Sequence, residues 1–224
     1  MKTHVIEVSG IRKMFGSKAI LSDVYLKIEV GEIIGLFGRN GSGKSTLLKS
    51  ICGLLPVSDK SVFIDGVSKN KSSNLINEIA YLHQDQFIPN HLSVIRTIHL
   101  GIDKQKTALF CEDVFIKPLL NRKIRNLSVG ELRYLQIKLV LFNTSKFVLL
   151  DEPFNGLSPK MIEVVTELIE ENSKEKGILI TDHNYENVLK ISTGLRLLKE
   201  GKLQIIKNKA ELFENGYLVS PAVF

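Results

Sequence analysis

Residues 35–48 have the sequence GLFGRNGSGKSTLL, which is the most specific motif in the chain. It matches the pattern G-x-x-x-x-G-K-[ST], with Gly38, Gly43, Lys44 and Ser45 at the defining positions. The apolar run EIIGLF before it predicts a strand, and the run KSTLLKSICG after it predicts a helix. A strand, a glycine-rich turn and a helix in this order are typical of a loop that binds phosphate groups.

Each residue type in this loop has a physical reason. Glycines let backbone N–H groups turn inward, and the helix N-terminus adds partial positive charge. Lys44 would neutralise the β- and γ-phosphates, and the Ser45 hydroxyl would bind Mg²⁺. The alternative is a glycine-rich turn that only caps a helix. The dinucleotide pattern G-x-G-x-x-G is not matched, because its third glycine is missing. We therefore predict a nucleoside triphosphate site whose loop comprises Gly38, Arg39, Asn40, Gly41, Ser42, Gly43, Lys44, Ser45 and Thr46.

Composition is ordinary for a globular protein. The 224 residues are 44% apolar and 24% charged, which suits one domain with a sizeable core or a core with a small insert. Cys52 and Cys111 have no metal-ligand spacing, so we expect a reduced compartment. The opening MKTHVIEVSG has no apolar signal region, and the other apolar runs are too short to span a bilayer. The net charge of +6 includes no basic block, so it does not indicate whether the chain binds nucleic acid, a membrane surface or a phosphate-bearing ligand.

The rest of the chain alternates between strand and helix patterns. Several strand-like runs are continuously apolar, as in parallel sheets buried on both faces, so we predict an α/β core. Residues 85–143 contain no clear strand and predict a helical subdomain. The predicted nucleotide-binding core is therefore 1–84 with 144–224. The strand-like runs are HVIEV, VYLKIEV, EIIGLF, SVFID, EIAYL, FVLLD, GILIT, GLRLLK and KLQII.

Acidic residues follow one of the buried strands. FVLLDEPFNGLS, residues 147–158, places Asp151 and Glu152 directly after an apolar run. An aspartate at this strand end holds Mg²⁺ in phosphate-loop enzymes, and the next glutamate could orient or deprotonate a water. The alternative is an acidic turn before Pro153. His183, in ILITDHN, would face the same sheet edge, although a lone histidine is more often structural.

A second candidate site is NLSVGEL, residues 126–132. Ser128 and Glu131 form a capping-box pattern, and apolar residues then recur at helical spacing. Two interpretations are open at this point: a helix cap alone, or half of a binding site whose other half lies elsewhere.

The phosphate loop, LSVGE, LLDEP and TDH in this order resemble the nucleotide-binding subunit of an ATP-binding cassette (ABC) transporter. The resemblance covers nearly the whole chain. It implies an α/β P-loop NTPase core of the ABC ATPase type, with a mixed sheet and a helical subdomain insert, and with ATP and Mg²⁺ as its ligands. It also implies that Ser128, Gly130 and Glu131 belong to a signature motif that contacts the γ-phosphate held by another subunit.

The resemblance implies further roles. Phe15 would stack on adenine, although by itself it could be ordinary core. Gln84 would reach Mg²⁺ and the attacking water, with Gln86 a less favoured substitute, and His183 would hydrogen-bond the γ-phosphate. The predicted catalytic residues are thus Glu152, His183 and Gln84, and the predicted metal ligands are Ser45, Gln84 and Asp151.

Two positions depart from the family pattern. Val129 replaces the first glycine of the signature, and Ser158 replaces the usual aspartate of the segment that crosses the dimer interface. A β-branched residue restricts the backbone beside the phosphate. These departures leave open an alternative function, that of a regulatory subunit that binds ATP but hydrolyses it poorly.

The implied partners follow from one phosphate loop and one signature per chain. Two chains, copies or paralogues, would pair head to tail to complete two ATP sites. The resemblance further implies an ATPase peripheral on the cytoplasmic face of the membrane, docked on integral membrane subunits, with no nucleic acid. Another alternative is a soluble ATPase of an assembly pathway such as iron–sulfur cluster formation. The apolar candidates for membrane-subunit contact, which could instead pack internally, are Phe87, Ile88, Pro89 and Leu92.

Overall fold

The computed structural model describes residues 4–218. Within that range the chain forms two sheets and seven α-helices. The strands are β1 (Val5–Phe15), β2 (Lys18–Glu29), β3 (Ile33–Phe37), β4 (Asp59–Ile64), β5 (Val67–Ser68), β6 (Ile79–Leu82), β7 (Phe147–Asp151), β8 (Gly177–Thr181), β9 (Gly194–Lys199) and β10 (Lys202–Ile206). The helices are α1 (Lys44–Ile51), α2 (Val94–Gly101), α3 (Lys104–Cys111), α4 (Val129–Phe142), α5 (Pro159–Ser173), α6 (Tyr185–Ile191) and α7 (Lys209–Glu214).

The larger sheet has six strands in the order β10-β9-β3-β8-β7-β6. Its last five are parallel, and β10 pairs antiparallel with β9. The second sheet is antiparallel, in the order β2-β1-β4-β5. The predicted mixed sheet is therefore confirmed. The carboxyl ends of β3, β6, β7 and β8 meet at one edge of the larger sheet, where a ligand site is expected in such folds.

The central strands of the larger sheet are buried between two layers. β3, β7 and β8 are buried at every residue, because α-helices and the second sheet cover both faces. One apolar cluster contains side chains from both sheets and from α1, and a second joins the larger sheet to α4, α5 and α6. Helix α1, which follows the phosphate loop, is thus held against the sheet by Leu47, Leu48 and Ile51.

Residues 85–143 hold three α-helices and no strand apart from an isolated bridge between Ser93 and Lys123. Their apolar side chains, such as Phe110, pack in the same cluster as the larger sheet. Helix α4 is buried on almost all sides rather than on one stripe, since polar Gln136 and Lys138 are buried along with its leucines. The limits of a separate helical subdomain remain a prediction.

All nine strand-like runs are strands in the structure, although β1 and β2 are several residues longer than predicted and β4 begins two residues earlier. β1 continues to Phe15 and β2 begins at Lys18, because the two strands pair through a tight turn in which Gly16 has φ +58°. The short β5 was not predicted. No helix within residues 4–218 is both long and apolar enough to cross a bilayer.

Candidate functional site

The phosphate loop connects β3 to α1 and requires glycine at two points. Gly43 has φ +104°, and a Cβ there would lie 2.7 Å from Cγ2 of Ile20. At Gly38 a Cβ would lie 2.7 Å from the carbonyl oxygen of Leu198. The loop can therefore pass this close to its neighbours only without side chains at these positions.

Lys44 begins α1 and bends back over the loop. Its Nζ donates hydrogen bonds to the carbonyl oxygens of Gly38 at 2.7 Å and Arg39 at 3.3 Å. Burial lowers the pKa of Lys44, and the negative charges of Glu152 and Asp151 oppose that shift. The ammonium is thus held at the loop without an ion-pair contact to a carboxylate among the described residues.

Asp151 ends β7 and is 1% exposed. Its Oδ1 accepts a hydrogen bond from Ser45 Oγ at 3.1 Å, and its Oδ2 accepts one from the Tyr81 hydroxyl at 2.8 Å. Burial, followed by the charge of Asp151, raises the pKa of Tyr81, so this hydroxyl remains a donor. The predicted metal ligands Ser45 and Asp151 are therefore adjacent.

Glu152 lies in the turn after β7 with φ +52°, a backbone conformation that non-glycine residues rarely adopt. Its backbone N–H donates to the carbonyl of Thr181 at 2.8 Å. Its carboxylate contacts Gln84 Nε2 at 2.9 Å through Oε2 and His183 Nε2 at 2.9 Å through Oε1. Three predicted catalytic side chains, from loops that follow three neighbouring strands, thus meet at one carboxylate. Gln86, the substitute for Gln84, instead donates to Ile88 O and Asn90 Oδ1.

Lys44, Ser45, Glu152 and His183 line a cleft of about 420 Å³ at the phosphate loop, and Asp151 and Gln84 contact two of these side chains. Phe15 stands at its rim, 53% exposed, with Lys13 Nζ 5.1 Å from the ring centroid. An exposed aromatic face at this place is free for stacking. The cleft is lined by Phe15, Ile20, Asn40, Gly41, Gly43, Lys44, Ser45, Thr46, Glu152 and His183.

Two predicted loop residues send their side chains elsewhere. Arg39 Nη2 donates to the carbonyl of Gly216 at 3.0 Å, and Ser42 Oγ is buried with no hydrogen-bond partner among the described residues. Both line a neighbouring cavity of about 490 Å³ next to β9 and α7. Any contribution of Arg39 to the phosphate cleft is therefore made by its backbone.

The signature segment lies in a different cleft, of about 470 Å³, that shares no lining residue with the first. Ser128 caps α4: Glu131 N–H donates to Ser128 Oγ at 3.3 Å, and Ser128 N–H donates to Glu131 Oε2 at 2.7 Å. Gly130 and Ser158 line this second cleft. Val129 is 72% exposed. The structure thus confirms the predicted capping box, and within one chain it does not bring the signature to the phosphate loop.

Ser158 has a local role that the family comparison did not suggest. Its Oγ accepts a hydrogen bond from Met161 N–H at 3.4 Å, and Pro159 follows at the first helical position. Serine before proline is a favourable start for α5.

Sequence reasoning missed Arg133, which is 5% exposed on α4. Its guanidinium donates to the backbone carbonyls of His83 at 2.8 Å, Asp151 at 2.8 Å and Glu152 at 2.7 Å. Burial lowers its pKa, while nearby carboxylates oppose the shift. A charged residue in an otherwise apolar helical run is a weak signal, because it fits an exposed position equally well.

Asp182 was also missed. Its carboxylate accepts hydrogen bonds from the backbone N–H groups of Phe154 and Asn184, each at 2.8 Å. Burial raises its pKa, and these hydrogen bonds oppose that shift. Asp182 therefore links the segment after Glu152 to the segment that carries His183.

The chain is similar in sequence to known proteins. The family model described as ABC transporter matches residues 21–155. The ribose import ATP-binding protein RbsA of Clostridium perfringens (strain SM101 / Type A) is 29% identical over 221 residues, which cover 90% of this chain and 44% of that protein. The lantibiotic transport ATP-binding protein SrtF of Streptococcus pyogenes is 28% identical over 226 residues, which cover 96% of this chain and 98% of that protein. The chain thus spans less than half of the first relative and nearly all of the second.

The fold is matched over the same extent. A solved structure described as "Structure of ATP binding subunit of ABC transporter" has a TM-score of 0.84 at 21% identity, covering 96% of this chain and 95% of that one. Because the family model covers more than half of the chain and includes the phosphate loop and the acidic strand end, the assignment does not depend on these distant relatives alone. The chain belongs to the ABC transporter family and carries its nucleotide-binding ATPase fold.

Proposed function

We propose that this chain hydrolyses ATP with Mg²⁺, at sites shared by two head-to-tail chains, and drives transport through separate membrane subunits. The observation that carries the proposal is the convergence, in one cleft, of Lys44 and Ser45 at a helix N-terminus with Glu152 and His183. The first group binds phosphates and the second can activate water, so the cleft combines binding with chemistry.

ATP would enter with its phosphates on the loop and its base against Phe15. The α1 N-terminus offers backbone N–H donors to the anion, and Lys44 would exchange its two carbonyl partners for phosphate oxygens. Burial lowers the pKa of Lys44, and bound phosphate would oppose that shift, as the nearby carboxylates already do.

The residues present fit Mg²⁺. The Ser45 hydroxyl and the Asp151 carboxylate are within hydrogen-bond distance of each other, and oxygen ligands of this kind are those that Mg²⁺ prefers. Ser45, Asp151 and Gln84 would hold the ion, which would neutralise charge on the β- and γ-phosphates. Tyr81 fixes the second oxygen of Asp151 and so orients the carboxylate.

Glu152 would accept the proton of the attacking water. Gln84 and His183 already contact its two carboxylate oxygens, and both would turn toward the water and the γ-phosphate once ATP is bound. A base within reach of its water and oriented by two neighbours is the arrangement expected for general base catalysis.

A second chain would complete each site. Ser128 and Gly130 lie in a cleft separate from the phosphate loop, so they can face a nucleotide only if another chain supplies it. A head-to-tail pair with two-fold symmetry brings each signature to the partner's loop.

Membrane subunits would dock on an apolar groove beside β6 and α2. Ile76, Phe87 and Leu100 are exposed there, as is Pro89 at its edge. The prediction that Ile88 contacts a membrane subunit is wrong, because its side chain is buried in the core. Tyr81 and Phe87, on either side of Gln84 in the chain, both line this groove, so a partner seated in it would act next to the site. On this proposal the chain is peripheral on the inner face of the membrane.

The test is phosphate release by the purified chain with ATP and Mg²⁺ at increasing protein concentration. A site shared by two chains gives a rate per chain that rises with concentration, because the active species is the pair. Chelation of Mg²⁺ should abolish the release. A chain that binds Mg²⁺-ATP and releases no phosphate at any concentration would contradict hydrolysis by two copies.

A further inference from the structure

Arg133 joins three segments of the molecule through one side chain. It lies on α4, five residues after the N-cap Ser128. Its guanidinium donates to the carbonyl of His83, beside Gln84, and to the carbonyls of Asp151 and Glu152. A longer contact, 3.4 Å, runs from Nε to the carbonyl of Pro153. The helix that begins with the signature is thereby tied to both loops that carry the proposed catalytic side chains.

The chemistry of the contact favours arginine. The guanidinium is planar, remains protonated and holds five N–H donors in a fixed fork, so it can bind several carbonyls in one geometry. A lysine at this place would keep the charge but would lose the fork. The recorded partners of Arg133 are all backbone carbonyl oxygens, which means that it restrains the main chain rather than a single side chain.

The backbone that Arg133 restrains includes a strained residue, Glu152. Glu152 has φ +52°, a region of backbone conformation that a non-glycine residue adopts only with strain. The Glu152 carbonyl is held by Arg133 and its N–H by the carbonyl of Thr181. On the other side, the Glu152 carboxylate is held by Gln84. Loss of Arg133 removes the tie between the two backbones, at His83 and Glu152, and leaves the side-chain contact of Gln84 with Glu152.

We propose that Arg133 is a positioning residue that transmits the position of the signature helix to Glu152 and Gln84. The inference rests on the proposed function, since it assumes that Glu152 acts on water and that Ser128 meets a second chain's nucleotide. Five residues of helix separate Ser128 from Arg133 by about 7.5 Å along the axis. If α4 shifts when two chains pair, Arg133 would therefore move the backbone of the Glu152 turn with it.

The experiment compares Arg133→Ala and Arg133→Lys with the wild-type chain. A displaced base of this kind lowers the rate by about 10²-fold, so kcat for Mg²⁺-ATP should fall by that order in Arg133→Ala. The affinity for ATP should stay within about threefold, because phosphate binding is made by other groups. Arg133→Lys should recover part of the rate, and millimolar guanidinium added to Arg133→Ala should recover part as well.

Lys138→Met is the matched control. Lys138 is a second buried cation on α4, but its contacts within residues 4–218 are with Asp113, Phe110 and Phe142, not with the catalytic loops. This variant should lower the melting temperature and leave kcat unchanged. If Arg133→Ala does not fold, the kcat of Arg133→Lys decides, because that variant keeps the buried charge.

Two results would overturn the inference. One is a folded Arg133→Ala or Arg133→Lys chain whose kcat equals that of Lys138→Met. The other is a loss that appears as weaker ATP binding with kcat unchanged. A wild-type chain that fails to hydrolyse ATP would overturn the proposed function and the role of Arg133 with it, so the two failures are distinguishable.

Discussion

The two helix N-termini that we assign to phosphate differ in how the chain treats them. Helix α1 begins after Gly43, which has no side chain to cap it, and its first turn carries no acidic residue. Helix α4 begins after Ser128, and both halves of a capping box with Glu131 are formed. Arg122 then pairs with the Glu131 carboxylate at 2.8 Å.

The difference separates a site that needs a ligand from one that is complete as folded. At α1 the N–H groups and the helix dipole are left for an anion, with Lys44 as the added cation. At α4 the Glu131 carboxylate already neutralises part of the dipole. On the proposed function, the phosphate loop would therefore bind ATP in a single chain, whereas the signature would contribute only when a second chain presents a nucleotide.

The largest effect is expected for chemistry in the α1 cleft. Glu152→Gln should keep ATP binding and slow hydrolysis by roughly 10²–10⁴-fold, the usual contribution of a positioned base. It should also accumulate an ATP-bound pair that elutes early in size-exclusion chromatography. Glu200→Gln is the control, because Glu200 also has φ +52° but lies away from the cleft, and it should hydrolyse normally. Normal turnover in Glu152→Gln would remove Glu152 from the role.

The next effect separates the two roles of α4. Aspartate is as good an N-cap as serine, so Ser128→Asp should fold with an unchanged melting temperature. At the partner's triphosphate, however, the new carboxylate would cost on the order of 4 kcal/mol at an effective dielectric constant of 20. ATP-driven pairing should weaken by about 10³-fold, while ATP binding to the single chain persists.

Ser93→Asp provides the comparison for that variant. Ser93 is also an N-cap serine, on α2, where its Oγ accepts from Arg96 N–H at 3.4 Å. It should pair and hydrolyse like the wild-type chain. Equal pairing by Ser128→Asp, measured by analytical ultracentrifugation with ATP, would leave α4 with a cap and no shared site.

A smaller effect should mark α1 as a binding site rather than a structural turn. Lys44→Ala should weaken ATP binding by roughly 10–10²-fold, as expected for loss of a charged hydrogen-bond donor. Without nucleotide its melting temperature should change little, and Lys49→Ala on the same helix should bind ATP normally. A calorimetric titration checks the affinity. Unchanged affinity with a much lower melting temperature would make the loop structural.

The smallest effect concerns the α4 cap itself. Glu131→Gln keeps a capping-box residue but removes the charge, so the loss of stability should stay below about 1 kcal/mol at this partly exposed site. The hydrogen bond from Ser128 N–H is the main cause that lowers the pKa of Glu131 from 4.5, with Arg122 adding to it. Because the folded pKa is the lower one, this stabilisation is present above pH 4.5 and is lost as the pH falls further. Urea midpoints of the two proteins should therefore differ near neutral pH and converge as the pH falls through the lowered pKa of Glu131.

Local sequence patterns were sufficient to predict the strands and helices and the functional residues at their ends. The strand before Gly38, the helix after Lys44 and the cap at Ser128 each follow from neighbouring residues, whose spacing or conformational preference is a local property. Gln84 and His183 came from the family resemblance, and the structure places both against Glu152. The contacts made across the sheet edge were not predictable in this way.

Arg133, Tyr81 and Asp182 show why. The arginine lies 18 to 50 residues from the carbonyls that it binds at 2.8 Å or less, and the tyrosine lies 70 residues from Asp151. The sequence around Arg133 resembles that around an exposed arginine, and the sequence around Tyr81 resembles that of an ordinary strand. Their partners depend on the order of β6, β7 and β8 in the sheet.

The phosphate loop, the buried strands and the capped start of α4 follow from the amino-acid sequence, because glycine spacing, apolar periodicity and capping act over a few residues. Three features depend on the three-dimensional fold instead: Arg39 turns toward Gly216, Arg133 holds the Glu152 turn, and the signature lies in its own cleft. These outcomes depend on which strand ends become neighbours, and that is settled by packing of the whole sheet against its helices rather than by any local preference.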